Sequence, residues 1–356
     1  MANMKLSGYR IAAICSCVPS KRFDNLTDTT DFSPEEVRKV TAMAGISARR
    51  LADESMCSSD LCEAAGNRAL EIAGWERESV DALIMVTQTP DYFMPSTSCV
   101  LHQKLGLSDQ CAAFDVGQGC SGYPYGLWLA GMMLQTGGAK RVLLLHGDTP
   151  ARYTDKADRA VSLLFGDAGS ATALETVEET PDHHWFFVLQ SDGSGYQDLI
   201  IEAGGFRDRF NPDRRNHCVT MNGANVFNFT IKRVPNLVKD TLGLAGIAPD
   251  DVDYFIFHQA NHFIIKHLAK KIGVPDHKIP LIMKEYGNTG GVSLPLTLTL
   301  GAMDRPANKP LRLLLLGYGA GLSWGSTLFD LGPEAKLENI ELSSGRAESH
   351  VEGTVG

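Results

Sequence analysis

Apolar residues recur in short runs without polar alternation: VDALIMV at 80–86, AAFDV at 112–116 and RVLLLHGD at 141–148. Runs of this kind predict strands buried on both faces, and the helical patterns between them predict a parallel sheet covered on each side. Before them, IAAICSCVPS at 11–20 predicts a first strand and its exit loop. Helix punctuation is equally plain. Ser33 as N-cap, Pro34 in the first turn and the acidic pair Glu35 and Glu36 predict a helix over 33–45. A second is predicted over 58–73, stopped by Gly74, and residues 91–107 supply a loop and a further helix. The glycines of GQGCSG at 117–122 force a tight turn, and YGLWLAGMML after it predicts a wholly buried helix.

This series occurs twice. EIAGWERESVDALIMV, from Glu71, is answered by GLAGIAPDDVDYFIFH, from Gly243, at an offset of 172 that carries Gly74 onto Gly246 and Asp81 onto Asp253. Arg141 and the leucines after it are answered by Arg312 and its leucines, at an offset of 171. So long a period implies duplicated domains rather than a solenoid. Residues 1–176 are expected to form one half, 177–331 the other, and 332–356, polar and aromatic-free, a flexible surface tail.

Duplication places corresponding turns near a pseudo-twofold axis, beyond the carboxyl ends of strands where open α/β sheets bind ligands. In the first half that turn carries Cys120. A thiol at the start of a helix faces unpaired backbone N–H groups and the positive end of the dipole, which favour the thiolate. The same N–H groups suit the oxygen of an acyl group on the sulfur. In the second half, FHQANH at 257–262 brings His258 and Asn261, and EYGNTGGVS at 285–293 brings Asn288. Taken singly, each has a plainer role: buried packing for the cysteine, a structural hydrogen bond for the histidine, a left-handed turn for the asparagine.

Composition narrows the classes. The 356 residues are 44% hydrophobic and 21% charged with a net charge of −9, as in ordinary globular proteins and unlike a nucleic-acid-binding surface. Eight cysteines without a CxxC pair suggest neither zinc nor a disulfide framework, and a reduced cytoplasmic setting fits them. No metal site is expected, His183, His184 and His262 showing no ligand spacing, and no stretch is long enough to span a bilayer.

GQGCSG, FHQAN, YGNTGG and GYGAGLSWGS at 317–326, in this order and at these separations, resemble the condensing enzymes of the thiolase fold. Among these, the chain is most similar to the β-ketoacyl-acyl carrier protein synthase III family, over nearly its whole length to Leu331. LFGDAGSATALE at 164–175 is similar to that family's Gly-Asp-Gly-Ala-Gly segment, with Ala168 and Ser170 as departures. The resemblance implies duplicated α/β domains in a five-layer αβαβα sandwich, and a homodimer. It implies Cys120 as the acyl-carrying nucleophile, the backbone N–H groups of Cys120 and Ala320 as an oxyanion hole, and His258 and Asn288 as donors that stabilise the enolate of a malonyl-type extender. Met94, Asn261 and Phe227 would contact substrate, Met94 from across a dimer interface. No cofactor is implied, the substrates arriving as coenzyme A or phosphopantetheine thioesters on acyl carrier protein.

Departures fall on the carrier end of the site. The family's nucleotide-clamping tryptophan and arginine are matched by Lys39 and Met43, its carrier-docking basic residue by Phe263, and a pantetheine-contacting asparagine by Ala224, although Asn222 and Asn225 stand close by. These point to an unusual thioester in a specialised fatty-acid or polyketide pathway. An acyltransferase to oxygen or nitrogen and a non-catalytic partner in a heterodimer are the alternatives. A degradative thiolase would need a second cysteine in GYGAGLSWGS, which has none.

Overall fold

The computed structural model describes residues 2–177 and 184–343, so that His183 and the end of the tail lie outside the described residues. In chain order the strands are β1 (Ala2–Ser7), β2 (Tyr9–Pro19), β3 (Arg22–Asp24), β4 (Ala48–Arg50), β5 (Ala82–Val86), β6 (Ala112–Val116), β7 (Arg141–Asp148), β8 (Ala168–Thr176), β9 (His184–Ser191), β10 (Leu199–Ile200), β11 (Thr220–Met221), β12 (Tyr254–Phe257), β13 (Leu311–Gly319), β14 (Ser323–Leu331) and β15 (Lys336–Leu342). The α-helices are α1 (Pro34–Ala44), α2 (Ser58–Ala73), α3 (Thr97–Lys104), α4 (Gly122–Gln135), α5 (Gly223–Ala245), α6 (His262–Ile272), α7 (Met283–Tyr286) and α8 (Ser293–Leu300).

The helix ends follow the local signals. Ser33 Oγ accepts the Glu36 N–H at 3.3 Å while the Glu36 carboxylate accepts the Ser33 N–H at 3.1 Å, a reciprocal cap on α1. Gly74 and Gly246 close α2 and α5 in the same left-handed conformation, φ 69° and 70°.

Two sheets form. One has the order β15-β2-β8-β7-β5-β6, the other β1-β9-β14-β13-β12. Leu61, Leu70 and Leu101 of α2 and α3 pack on the outer face of the first, and Val234, Leu242 and Leu268 of α5 and α6 on that of the second. Between the sheets, Leu127 of α4 and Leu294 and Leu298 of α8 meet Ile84 and Leu144 on one side and Leu313 and Phe329 on the other. The layers are therefore α/β/α/β/α, the thiolase-like sandwich.

The assembled layers depart from five expectations. The sheets are mixed rather than parallel: β5 pairs parallel with β6 and β7, but β8 runs antiparallel to both β7 and β2. No α-helix crosses over between β7 and β8, so the chain returns in the opposite direction. AAFDV is an edge strand, paired in the sheet only with β5 among the described strands, and its residues stay partly exposed. Helix α4 is likewise open along one side, where Tyr125, Trp128 and Leu129 are half-buried and Met132 is exposed. The tail does not simply trail away, because Lys336–Leu342 forms β15, parallel to β2. At the other end β1 leaves the first half and pairs antiparallel with β9 of the second.

Candidate active site

The carboxyl ends of the central strands converge as the repeat requires. Cys120 stands two residues before α4, His258 directly follows β12, and Asn288 lies in the turn leading to α8. All three line one cavity of about 800 Å³.

Cys120 is fenced by glycine. A Cβ on Gly319 would come within 2.7 Å of both Cβ and Sγ of Cys120, and one on Gly317 within 2.8 Å of the Cys120 carbonyl oxygen. Only bare backbone fits there, which brings the 319–321 segment against the sulfur. Burial pushes the Cys120 thiol up from 9.0 to about 11, opposed by hydrogen bonds from the backbone of Ala320 and of Cys120 itself and reinforced by the charge of Asp148. The expectation of a favoured thiolate is thereby corrected. Desolvation inside the cavity outweighs the helix end, and the N-cap of α4, Ser121, separates the half-buried cysteine from the first turn. The two N–H groups at the sulfur are those of Cys120 and Ala320, the pair expected to form an oxyanion hole.

His258 is buried, with its Nδ1 2.8 Å from Ser293 Oγ. Because that oxygen also accepts the Gln259 N–H at 3.2 Å, its own proton is free to point at the imidazole. Burial lowers the pKa of His258 from 6.5 to about 4, with His146 acting in the same direction and a backbone hydrogen bond at Gly290 opposing, so the ring is neutral at physiological pH. Asn288 is fixed by its backbone: its N–H donates to the Leu164 carbonyl at 2.8 Å and its carbonyl accepts the Gly166 N–H at 3.1 Å. Its Oδ1 accepts the Gly290 N–H at 3.0 Å. The amide oxygen is thus occupied, and the amide NH2 is the end left for a ligand.

Phe227 and Asn261 also line the cavity, although Asn261 spends its Oδ1 capping α6, accepting the Phe263 N–H at 2.8 Å. Met94 lies outside the cavity of its own chain, 86% exposed. At the mouth stand Lys39, Met43 and Phe263, with the Phe227 and Phe263 rings stacked at 5.7 Å. Two contributors escaped the sequence reading. Ser293 orients His258 but reads as an ordinary helix-start serine, and Arg159, paired with Glu36 at 2.8 Å beside the mouth, sits in a charged loop without periodicity. Among the described residues no group of three or more His, Cys, Asp or Glu is arranged to hold a metal, and no helix is long and apolar enough to cross a membrane.

Residues 114–193 match the family described as 3-Oxoacyl-[acyl-carrier-protein (ACP)] synthase III, and residues 242–331 match its C-terminal part. A putative 3-oxoacyl-[acyl-carrier-protein] synthase 3 of Campylobacter jejuni is 36% identical over 337 residues, which cover 90% of this chain and 93% of that protein. A β-ketoacyl-[acyl-carrier-protein] synthase III of Neisseria meningitidis is 34% identical over 321 residues, covering 90% and 98%. The crystal structure of a 3-oxoacyl-(acyl-carrier protein) synthase from Burkholderia xenovorans LB400 superposes with a TM-score of 0.91 at 44% identity, over 96% of this chain and 99% of that one.

Proposed function

The chain belongs to the β-ketoacyl-acyl carrier protein synthase III family of condensing enzymes, and on that premise we propose that it carries an acyl group on Cys120 and extends it by decarboxylative condensation with a malonyl-type thioester. The observation that carries this reading is the single cavity lined by Cys120, His258 and Asn288.

In the first step the Cys120 sulfur attacks the donor thioester, the tetrahedral oxygen is held by the N–H groups of Cys120 and Ala320, and the carrier leaves as a thiol. Exchange between two sulfurs costs little, so the acyl group stays activated. A thiol with a pKa near 11 is mostly protonated at neutral pH, so the sulfur gives up its proton as it attacks, and the departing carrier sulfur takes up one proton to leave as the thiol. In the second step the extender's carbonyl sits between His258 and the Asn288 amide. On this reading the Ser293 hydroxyl donates to Nδ1 and the ring's proton sits on Nε2, where it serves the extender's carbonyl. Loss of carbon dioxide moves the electron pair onto the held oxygen, where two fixed neutral donors stabilise the enolate. Its carbon attacks the acyl-cysteine, and the β-ketoacyl thioester leaves as the sulfur departs.

Met43 and Phe263, 60% and 54% exposed at the mouth beside Lys39 and Arg159, stand where the family carries its clamping arginine and docking basic residue, and that exchange supports a thioester other than that of bulk initiation. A homodimer is supported by the open edge of β6, the half-exposed apolar side of α4 and the exposed Met94. Intact-protein mass measurement after exposure to acyl thioesters, followed by assay of carbon dioxide release from malonyl thioesters, tests the reading. Acylation at Cys120 with coupled carbon dioxide release is expected. Acylation without it would transfer the protein to the oxygen- or nitrogen-acylating class, and no acylation would remove the enzymatic reading.

A further inference from the structure

Behind the catalytic turns lies a second histidine that the reaction above does not use. His146 is on β7, within an otherwise apolar run, and it is wholly buried with neither ring nitrogen hydrogen-bonded. An apolar residue would fill that place without leaving polar atoms unpaired. The imidazole lies where the two halves of the site meet. A Cβ on Gly122, at the start of α4, would come to 3.1 Å from His146 Cε1. A Cβ on Gly291, in the turn of Asn288, would overlap the same carbon and stand 2.7 Å from Nε2. Both turns are bare where the ring passes, so it fills the space between them.

Two residues further along β7, Asp148 faces the same ring. Its Oδ1 accepts the Gln88 N–H at 2.8 Å and the hydroxyls of Thr87 and Thr89 at 3.2 and 3.3 Å. Its Oδ2 stands 3.7 Å from His146 Nε2, facing it beyond hydrogen-bonding distance. Gly290 backs this oxygen, a Cβ there falling 3.4 Å away. The other titratable groups around the pair are Cys120 before α4, Tyr123 within it at 6.4 Å between ring centres, His258 after β12, Tyr153 in the loop after β7, and Cys62 of α2; the charge of Asp148 reaches the last two as well, and both are raised chiefly by burial. The charge of Asp148 reaches Cys120 and raises its thiol; a charge on His146 reaches His258 and lowers its ring.

We propose that His146 is a positioning residue of the condensation site: its ring spaces the Cys120 turn from the Asn288 turn, and its Nε2 proton, directed at Asp148 Oδ2, keeps the carboxylate's charge from the thiol. The proposal rests on the reading of Cys120 as nucleophile and of His258 and Asn288 as enolate donors.

His146→Phe keeps a ring in place and removes both nitrogens, His146→Gln restores a donor, and Asp148→Asn removes the charge. The pH dependence of Cys120 alkylation by iodoacetamide needs no substrate. It is expected to move upward by about half a pH unit or more in His146→Phe, downward in Asp148→Asn, and back towards wild type in His146→Gln. In turnover, His146→Phe is expected to lower kcat about tenfold with KM unchanged, as for a group that acts on the transition state through its neighbours. Folded His146→Phe protein with wild-type alkylation and kcat overturns the proposal, as does movement of the alkylation profile in the same direction by His146→Phe and Asp148→Asn. If His146→Phe fails to fold, the opposed or matching behaviour of the other two variants decides. Wild-type protein that never acylates at Cys120 instead defeats the catalytic reading, whatever the alkylation profiles show.

Discussion

In the first half Asp81 donates its N–H to the Arg141 carbonyl at 3.0 Å and accepts the Arg141 N–H at 3.0 Å; in the second, Asp253 donates to the Arg312 carbonyl at 2.9 Å and accepts its N–H at 2.7 Å. Each aspartate fastens the start of one central strand to the next, β5 to β7 and β12 to β13, which run parallel in both halves. The strands' far ends are unlike. The position that holds Val86 in the first half holds His258 in the second, and the turn before the central helix offers a sulfur in one and an amide in the other. Exposure differs as well: α4 leaves Met132 open, whereas Ser293–Leu298 of α8 is buried throughout. The difference teaches that duplication preserves what packing demands, and that chemistry diverges in the turns that face the cavity.

Variants can break this division of labour. Cys120→Ala is expected to abolish acyl loading entirely, read as the absence of any mass increase, while loading persists when second-half groups are altered. His258→Ala and Asn288→Ala are each expected to keep loading and lose about 10²–10³-fold in carbon dioxide release, the usual cost of removing one donor from a developing oxyanion. If either abolishes loading as well, the halves do not divide the reaction.

Gly319→Ala sharpens the boundary, since its Cβ would meet Sγ at 2.7 Å; loading is expected to slow more than carbon dioxide release. Acid titration adds a further test on the second half. His258 is neutral down to about pH 4, so carbon dioxide release is expected to show no protonation of this residue between pH 5 and 8. In stability the sign is opposite to that of a paired cation. As pH falls from 6.5 towards 4, the unfolded chain takes up the proton first, so the native state loses stability in that window and keeps its full share above it. Thermal melts of wild type and His258→Gln across that range measure the difference. The smallest effect is expected from Asp81→Asn and Asp253→Asn, each removing charge from a strand clamp at a cost of about 1 kcal/mol and leaving turnover unchanged per folded molecule.

The fold was legible to the extent that its signals are local. The caps at Ser33, Gly74 and Gly246, and the recurrence of Asp81 and Arg141 as Asp253 and Arg312, are written in neighbouring residues or in direct repetition. The sequence also singled out Cys120, His258 and Asn288, because glycine-rich turns after apolar runs are where a duplicated sheet presents side chains. Ser293, Arg159 and His146 carried no comparable signal. Their parts come from neighbours 35, 123 and more than a hundred residues away, as in the bonds of Ser293 to His258 and of Arg159 to Glu36 and the packing of His146 against Gly291.

By itself, the chain determined its helix ends, its apolar strands, its internal repeat and the kinds of side chain at each turn, since backbone capping and side-chain periodicity act over a few residues. Tertiary structure alone decided that β1 joins the second sheet, that Lys336–Leu342 joins the first, that AAFDV lies at an open edge, and that burial pushes the Cys120 thiol up. Those outcomes depend on which distant backbone groups remain unpaired and on how completely water is removed from a charge, and both are properties of the assembled layers.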